Sequence, residues 1–316
     1  MTLVATLARE TGLSVKDVRR LTATAPRRYK IFAIPKRDGS ERLIAQPAFE
    51  IKALQRVLLR VALGNLPVHE AAHAYVKGKS IRTNALAHAS SHFILKLDFK
   101  NFFYSIRPVD LEQVLRVHKI TNVSPLDYEN LYNLVFWGGG GYDPRCLSIG
   151  APSSPMISNV VMYEVDVGAT QAAAELGLVY TRYADDMTVS GNSPSALEAF
   201  EARIAKIVER SNLNITFNQE KRGLYGRGVR RMVTGLILTP DGNVSIGRDR
   251  KREIRAAVHQ VSLQQADDRQ IARCQGLLAF VISAEPSFLR SLRRSYGAEV
   301  IRQILKAPRK SFYVGD

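Results

Sequence analysis

Apolar positions set the order of elements along this chain. Ile51, Leu54, Val57, Leu58 and Val61 recur at helical spacing and predict a helix from Phe49 to about Leu63. Upstream, Ser14-Val-Lys-Asp17 is a capping-box signal for a short helix that ends before Ala25-Pro26. Residues 29–47 read as two short strands joined by a turn at Asp38-Gly39. A further helix is expected over Ser80 to Ala89, and Phe93 to Leu97 is an apolar strand ending on Asp98. Helices follow from about Pro108 and Leu126, and a glycine run from Gly138 to Gly141 breaks the chain. One long helix is expected from Ser154 to about Leu176. Leu178 to Tyr183 and Met187 to Ser190 are strands flanking a tight turn at Ala184-Asp185-Asp186. Ser193-Pro194 opens a helix to about Ser211, and strands are expected at 213–217, 230–238 and 243–246. From Arg248 the pattern is helical only, so the fold class is α+β with an appended helical part.

Charge changes the picture more than composition does. Hydrophobic residues make up 46% and charged residues 23% of 316, which suits a packed chain and argues against a disordered one. Lys+Arg outnumber Asp+Glu by 45 to 29, a formal charge of +16. Such a surface calls for a polyanionic partner, nucleic acid or anionic membrane. No apolar run approaches the roughly 20 residues of a membrane-spanning helix, and the start lacks the basic and apolar regions of a signal peptide. Cys146 and Cys274 are too few for a disulfide framework or a Cys-rich zinc site. The expectation is a cytoplasmic protein with a polyanionic partner and no membrane association.

Candidate chemistry lies in the carboxylates. Asp98 ends an apolar strand, and Asp185 and Asp186 sit at the tip of an apolar hairpin. Such acids are costly unless compensated. Brought together they would repel, and divalent cations with hard-oxygen preference would relieve that repulsion. Two ions about 3.5–4 Å apart would activate a hydroxyl and stabilise a leaving pyrophosphate.

These residues carry a resemblance. Tyr183-Ala184-Asp185-Asp186 resembles the catalytic hairpin motif of reverse transcriptases, and Leu95-Lys-Leu-Asp98-Phe-Lys-Asn-Phe-Phe103 their first catalytic motif. Gly150-Ala151-Pro152-Ser153-Ser154-Pro155 resembles the template- and nucleotide-contacting motif between them. Asn84-Ala85-Leu86-Ala87-His88 and Val233-Thr234-Gly235 resemble two signatures of retron reverse transcriptases. The five motifs stand in the expected order, and the resemblance covers about residues 15 to 305.

The resemblance implies a right-hand polymerase. Its parts would be N-terminal helices and fingers at 1–92, a palm with interleaved fingers segments at 93–245, and a helical, RNA-binding thumb at 246–316. Retron enzymes copy part of a structured non-coding RNA into single-stranded DNA, primed from a 2′-hydroxyl of the same RNA. The branched product, msDNA, usually serves phage defence with an effector protein. The implied cofactor is a pair of magnesium ions, with manganese as a substitute, and the substrates are deoxynucleoside triphosphates.

By position, Asp98, Asp185 and Asp186 are the implied catalytic and metal-binding triad, with Phe99 beside them as a further metal contact. Phe103 falls where the family places an aromatic gate against ribonucleotides. Lys36 and Arg42, on the expected fingers hairpin, would hold the triphosphate, with Gly150 at the nucleotide and Lys221 near the departing pyrophosphate. One departure is Ile149, where the family commonly has Gln before the glycine. Asn84 and His88, four apart on one helix face, are assigned to orienting the palm or to contacting RNA. Arg27-Arg28 and Tyr29 could equally touch nucleic acid or be solvated.

The tail adds a second basic feature. Residues 246–316 hold 14 Lys+Arg and 7 Asp+Glu, a net of +7 (14 − 7). Arg248, Arg250, Lys251, Arg252 and Arg255 crowd a helix start, where the helix dipole disfavours cations, so they are expected to grip RNA-stem phosphates.

Two competing readings remain. His69-Glu70-Ala71-Ala72-His73 fits the H-E-x-x-H pattern of a zinc protease, although Pro67 and Gly78 crowd the required helix. Within the polymerases, the runner-up is a group II intron or diversity-generating reverse transcriptase.

Overall fold

The computed structural model describes residues 2–36, 39–118, 123–138 and 145–307. Asp38 of the expected turn and Gly139 to Gly141 of the glycine run lie outside them.

The chain opens with α1 (Leu3–Thr11), capped by the Thr2 hydroxyl, and α2 (Val15–Thr24), capped by Ser14. Sequence patterning did not predict α1. It buries Leu3, Val4, Leu7 and Ala8, and the backbone N–H of Leu3 donates to Asp127 at 2.9 Å. A hairpin follows, β1 (Tyr29–Pro35) antiparallel to β2 (Glu41–Pro47), in a register that pairs Tyr29 with Pro47 and Ile34 with Arg42. Next come α3 (Phe49–Leu58), running into a wide helical turn at Leu59–Leu63, and α4 (Ile81–Ala87), with a full capping box at Ser80 and Thr83.

The sheet that carries the acids follows. β3 (Phe93–Asp98) leads into the short α5 (Phe102–Ser105), then α6 (Pro108–His118) and α7 (Tyr128–Val135). The long helix expected from Ser154 is two helices, α8 (Ser154–Val161) and α9 (Tyr163–Glu175). They meet at Met162, which ends α8 and precedes α9, with φ −80 and ψ 0. β4 (Val179–Tyr183) and β5 (Asp186–Gly191) form the acidic hairpin, followed by α10 (Pro194–Arg210). Residues 213–217 make no ladder strand; only Phe217 bridges, to Phe99. The fourth strand of the sheet is instead β6 (Gly223–Tyr225), in the order β4-β5-β3-β6.

The expected strand 230–238 is a tight hairpin, β7 (Met232–Val233) and β8 (Leu236–Leu238), turned at Thr234 and Gly235, both with positive φ. β9 (Val244–Ser245) joins β8. Four helices end the described chain: α11 (Arg248–Ser262), α12 (Asp268–Ala284), α13 (Pro286–Tyr296) and α14 (Ala298–Lys306).

The chain divides into two compact units. The first comprises residues 1–75, 95–189 and 194–223, and the second 76–94, 190–193 and 224–316. In the second, Ala85 of α4, Val233 and Leu236 of the small sheet, and Ile254, Leu278 and Val281 of the helices share one core. Each large aliphatic side chain so buried contributes about 1.5–3 kcal/mol. Among the described residues, no helix is long and apolar enough to cross a membrane.

Candidate active site

The first unit brings the three acids together at the end of β3 and at the tip of the β4–β5 hairpin. Asp98 is the last residue of β3 and only 5% exposed. Its carbonyl accepts from Asn218 N–H at 2.7 Å, Phe99 N–H donates to the Asp185 carbonyl at 3.2 Å, and Lys100 N–H to the Thr216 carbonyl at 2.8 Å. These bonds tie the β3 end to the hairpin tip and to residues 216–218. Beneath them Phe99 stacks between Phe102 and Phe217, with ring centroids at 5.8 and 4.8 Å. That ring is buried and has no donor atom, so Phe99 could reach a metal only through its carbonyl.

The hairpin tip is held from inside. Ala184 adopts φ +57, a left-handed conformation costing an L-residue about 1–2 kcal/mol. Arg182 Nη1 donates to the Ala184 carbonyl at 2.9 Å and to Asn159 Oδ1 at 3.1 Å. Its Nε and Nη2 form a two-pronged pair with Asp166, at 2.8 and 2.6 Å. Tyr180 O–H donates to the same carboxylate at 2.6 Å, and Asn159 Nδ2 to the Ala74 carbonyl at 2.9 Å. Both Arg182 and Asp166 are fully buried. Sequence reasoning missed this network. Its signal was available: a cation inside the apolar strand Val179-Tyr-Thr-Arg-Tyr183 needs a buried acid.

Electrostatics at the tip are unfavourable without a cation. Burial and then the Asp98 charge hold the Asp185 carboxyl above its ordinary range, against its own backbone N–H, Lys221 and Arg42. The Asp186 carboxyl is pushed up to about 6, by burial and then by Asp185, with Lys96 opposing and Asp98 adding. Lys221 supplies partial relief: its Nζ donates to both oxygens of Asp98, at 2.8 and 3.0 Å. Burial pulls the Lys221 ammonium down, but Asp98, Asp185 and Asp186 outweigh it and hold it above its usual value. Among the described residues, no three acidic, imidazole or thiolate groups form a ready-made cage, since Asp98 is turned to this ammonium. Hard oxygens, mutual repulsion and a displaceable resident cation nonetheless fit divalent ions.

The remaining expected residues fall in several places. Phe103 lies on α5, half-buried, its ring edge-on to Phe102 at 5.5 Å. Arg42 is exposed on β2, and its charge acts on Asp185. Lys36 is exposed at the end of the described β1 arm, its N–H bonded to the Ser40 carbonyl. Gly150 has φ +120, and a Cβ there would lie 3.2 Å from the Ala45 carbonyl oxygen, so only glycine fits against β2. Ile149, in place of Gln, anchors the same contact by accepting from Ala45 N–H at 3.1 Å.

In the second unit Asn84 and His88 are fully buried, which corrects their assignment to an RNA surface. His88 Nδ1 lies 2.8 Å from Ser190 Oγ, which is 2.9 Å from Ser91 Oγ, and Arg231 donates to the Ser91 carbonyl. Thr234 O–H donates to the Ile81 carbonyl at 3.0 Å, so the two retron-like signatures pack on each other. The α11 cations divide. Lys251 is paired with Glu285 at 2.6 Å and Arg250 with Glu253 at 3.1 Å. Arg248, Arg252 and Arg255 are exposed along one helical stripe, Arg255 also lying over the Phe288 ring.

The protease pattern fails on geometry. His69 to His73 form a turn and a single bridge, not a helix, and His69 Nδ1 accepts the Ala71 N–H. The two imidazoles therefore lack the shared helical face that zinc binding by this motif needs.

Comparison with known proteins agrees with this geometry. The family model for reverse transcriptase (RNA-dependent DNA polymerase) matches residues 34–230. The retron Ec83 reverse transcriptase of Escherichia coli is 36% identical over 281 residues, 88% of this chain and 90% of that protein. The retron Ec86 reverse transcriptase of Escherichia coli is 32% identical over 301 residues, 92% of this chain and 89% of that one. Among solved structures, apo telomerase from Candida tropicalis aligns with a TM-score of 0.51 at 11% identity, covering 89% of this chain and 62% of that one, a likeness of fold alone. With its acids gathered at the end of one strand and the tip of the neighbouring hairpin, the chain belongs to the retron reverse transcriptases and is an RNA-directed DNA polymerase.

Proposed function

We propose that this enzyme copies a cognate structured RNA into branched single-stranded DNA, starting from a 2′-hydroxyl of that RNA. The product would act with an effector protein in defence against phage. The observation that carries this reading is the meeting of Asp98, Asp185 and Asp186 on β3 and the β4–β5 hairpin, in a chain whose relatives are retron enzymes.

Asp98 and Asp185 would hold two divalent ions, with Asp186 beside them and the Phe99 carbonyl as a further oxygen. When bound, the ions supply Lewis-acid activation of the attacking hydroxyl and neutralise charge on the leaving pyrophosphate. The other roles belong to side chains. Lys221 keeps its proton in this acidic surround, so it acts as a cation and not as a base. Its side chain is 58% exposed, and it can swing from Asp98 toward the pyrophosphate once the acids are otherwise neutralised. Arg42 and Lys36 would gather the triphosphate, and the Phe103 ring would exclude a ribonucleotide 2′-hydroxyl. In the second unit, Arg248, Arg252 and Arg255 would take the phosphates of an RNA stem.

The test is extraction of the nucleic acid that co-purifies with the enzyme expressed beside its own RNA. A single-stranded DNA that shortens under RNase and needs debranching enzyme to become linear supports the reading. Linear DNA alone would instead favour another class of bacterial reverse transcriptase.

A further inference from the structure

Tyr75 is strained, exposed and idle beside the acids. Its backbone has φ +63, in the left-handed region that a bulky side chain rarely adopts, and among the described residues no other aromatic shares it. Such a conformation persists only where the surroundings fix it, and it gathers at ligand sites. The residue is 55% exposed. Among the described residues its hydroxyl has no hydrogen-bond partner and its ring no aromatic neighbour.

The surroundings that fix it are those of the hairpin tip. Residues 71–73 lie along the free edge of β4. Arg182 N–H donates to the Ala71 carbonyl at 2.8 Å and His73 N–H to the Arg182 carbonyl at 2.7 Å, which makes a parallel bridge of Ala72 with Arg182. From that bridge both segments run the same way, and three residues on they reach Tyr75 and Asp185. The residue before each is tied to the same buried pair. Asn159 Nδ2 donates to the Ala74 carbonyl at 2.9 Å, and Arg182 Nη1 donates to Asn159 Oδ1 at 3.1 Å and to the Ala184 carbonyl at 2.9 Å. One chain of hydrogen bonds therefore sets Tyr75 and Asp185 at the same end of the sheet. The phenol responds to that placement. Burial and then the Asp185 charge hold it above its ordinary range, with Tyr183 adding and Arg42 opposing, so it stays an O–H donor.

Sheet order tells which reactant Tyr75 faces. The strands run β4-β5-β3-β6, with Tyr75 beyond β4. Phe103, assigned above to the incoming sugar, follows β3, and Lys221, assigned to the pyrophosphate, precedes β6. In an in-line displacement the attacking and leaving oxygens lie on opposite sides of the phosphorus. With the leaving group on the β3–β6 side, the attacking strand end enters on the β4 side.

We propose that Tyr75 holds the last nucleotide of the growing strand, its ring against the terminal sugar and its O–H donating to that nucleotide, so that the attacking hydroxyl is set at the acids. The proposal rests on the polymerase reading above and adds to it a contact residue for the strand end.

The test compares wild type with Tyr75→Gly and Tyr75→Phe in single-turnover extension of generic primer–templates. Glycine accepts the positive φ without strain, so Tyr75→Gly should melt no lower than wild type. At saturating deoxynucleotide its rate should fall about tenfold, because the strand end is no longer fixed. Its apparent affinity for the deoxynucleotide should stay within about twofold. Tyr75→Phe should lose about threefold, the share of one hydrogen bond. A second readout is the terminal base pair. Primers ending in a mismatch should be extended with a smaller penalty, relative to matched ones, by Tyr75→Gly than by wild type, since the contact that rewards a well-seated end is gone. A folded Tyr75→Gly enzyme with unchanged rate and unchanged mismatch penalty overturns the proposal. So does a variant whose only change is weaker deoxynucleotide affinity, which would put Tyr75 at the other reactant. A wild type that extends no primer overturns the polymerase reading instead.

Discussion

Two acids in this molecule, Asp166 and Asp98, each hold a cation, and they hold it differently. Asp166 grips Arg182 by two bonds, with both side chains fully buried. Asp98 is nearly as well hidden, but its partner Lys221 leaves most of its side chain in solvent. A planar guanidinium locked between Asp166, Asn159 and the Ala184 carbonyl has nowhere to go, and its geometry sets the hairpin tip. A flexible ammonium on Asp98 can leave. One pair is locked in the core; the other stands half open to solvent.

The comparison can be broken most sharply at the tip itself. Asp185→Asn with Asp186→Asn should abolish DNA synthesis while the protein stays folded, because neutral amides cannot hold the ions. Its thermal midpoint should also stop responding to magnesium. Retained synthesis in the folded variant would remove these acids from the chemistry. The next effect is on stability. Arg182→Met leaves Asp166 buried and unpaired, at a cost of about 3–5 kcal/mol in urea unfolding. Adding Asp166→Leu should restore much of that loss. Lys221→Met should change stability by less than about 1 kcal/mol. It should also lower the magnesium concentration that gives half the thermal shift, since Asp98 loses a competitor. Equal stability losses at Arg182 and Lys221 would erase the distinction between the two pairs.

The smallest effect is in pH. The Asp186 carboxyl sits at about 6 in the fold, above its ordinary 3.8. A raised acid adds stability that is complete below about 4 and lost as pH rises through about 6. Asn at this position does not titrate. In chelator, Asp186→Asn should therefore exceed wild type in stability by about 1–2 kcal/mol more at pH 7.5 than at pH 4. Urea midpoints at the two pH values decide it; a constant difference would mean that Asp186 is not held up by its neighbours.

The three acids of the candidate site stood out in the sequence because an acid that ends an apolar strand contradicts its surroundings. The α+β class and the order of nearly all elements followed from periodicity and caps. Other features left weaker traces. The break at Met162 has neither glycine nor proline to mark it, so the pattern from Ser154 to Leu176 reads as one helix. Residues 213–217 alternate like a strand, yet only Phe217 bridges, and the pairing passes to a three-residue strand flanked by glycines. Spacing put Asn84 and His88 on one helix face but could not say whether that face meets solvent or core. Cation density on α11 was plain, whereas the capture of Lys251 by Glu285 depends on a residue 34 positions away.

The connectivity of the two units bears on how this enzyme can be made, and made smaller. The chain passes between them five times, at residues 75/76, 94/95, 189/190, 193/194 and 223/224. The terminal helices share their core with Ala85 and Ile94, synthesised far earlier. On the ribosome, α4 must wait for some 150 further residues before Val233 and Leu236 emerge to cover it. Contacts of such long range slow folding and expose apolar surface meanwhile. A truncated enzyme lacking the last four helices would keep β7 to β9 over α4 but strip Ile254, Leu278 and Val281 from the shared core, so shortening this polymerase from its C-terminus should yield an aggregating protein, where trimming a self-contained module would have left a sound one.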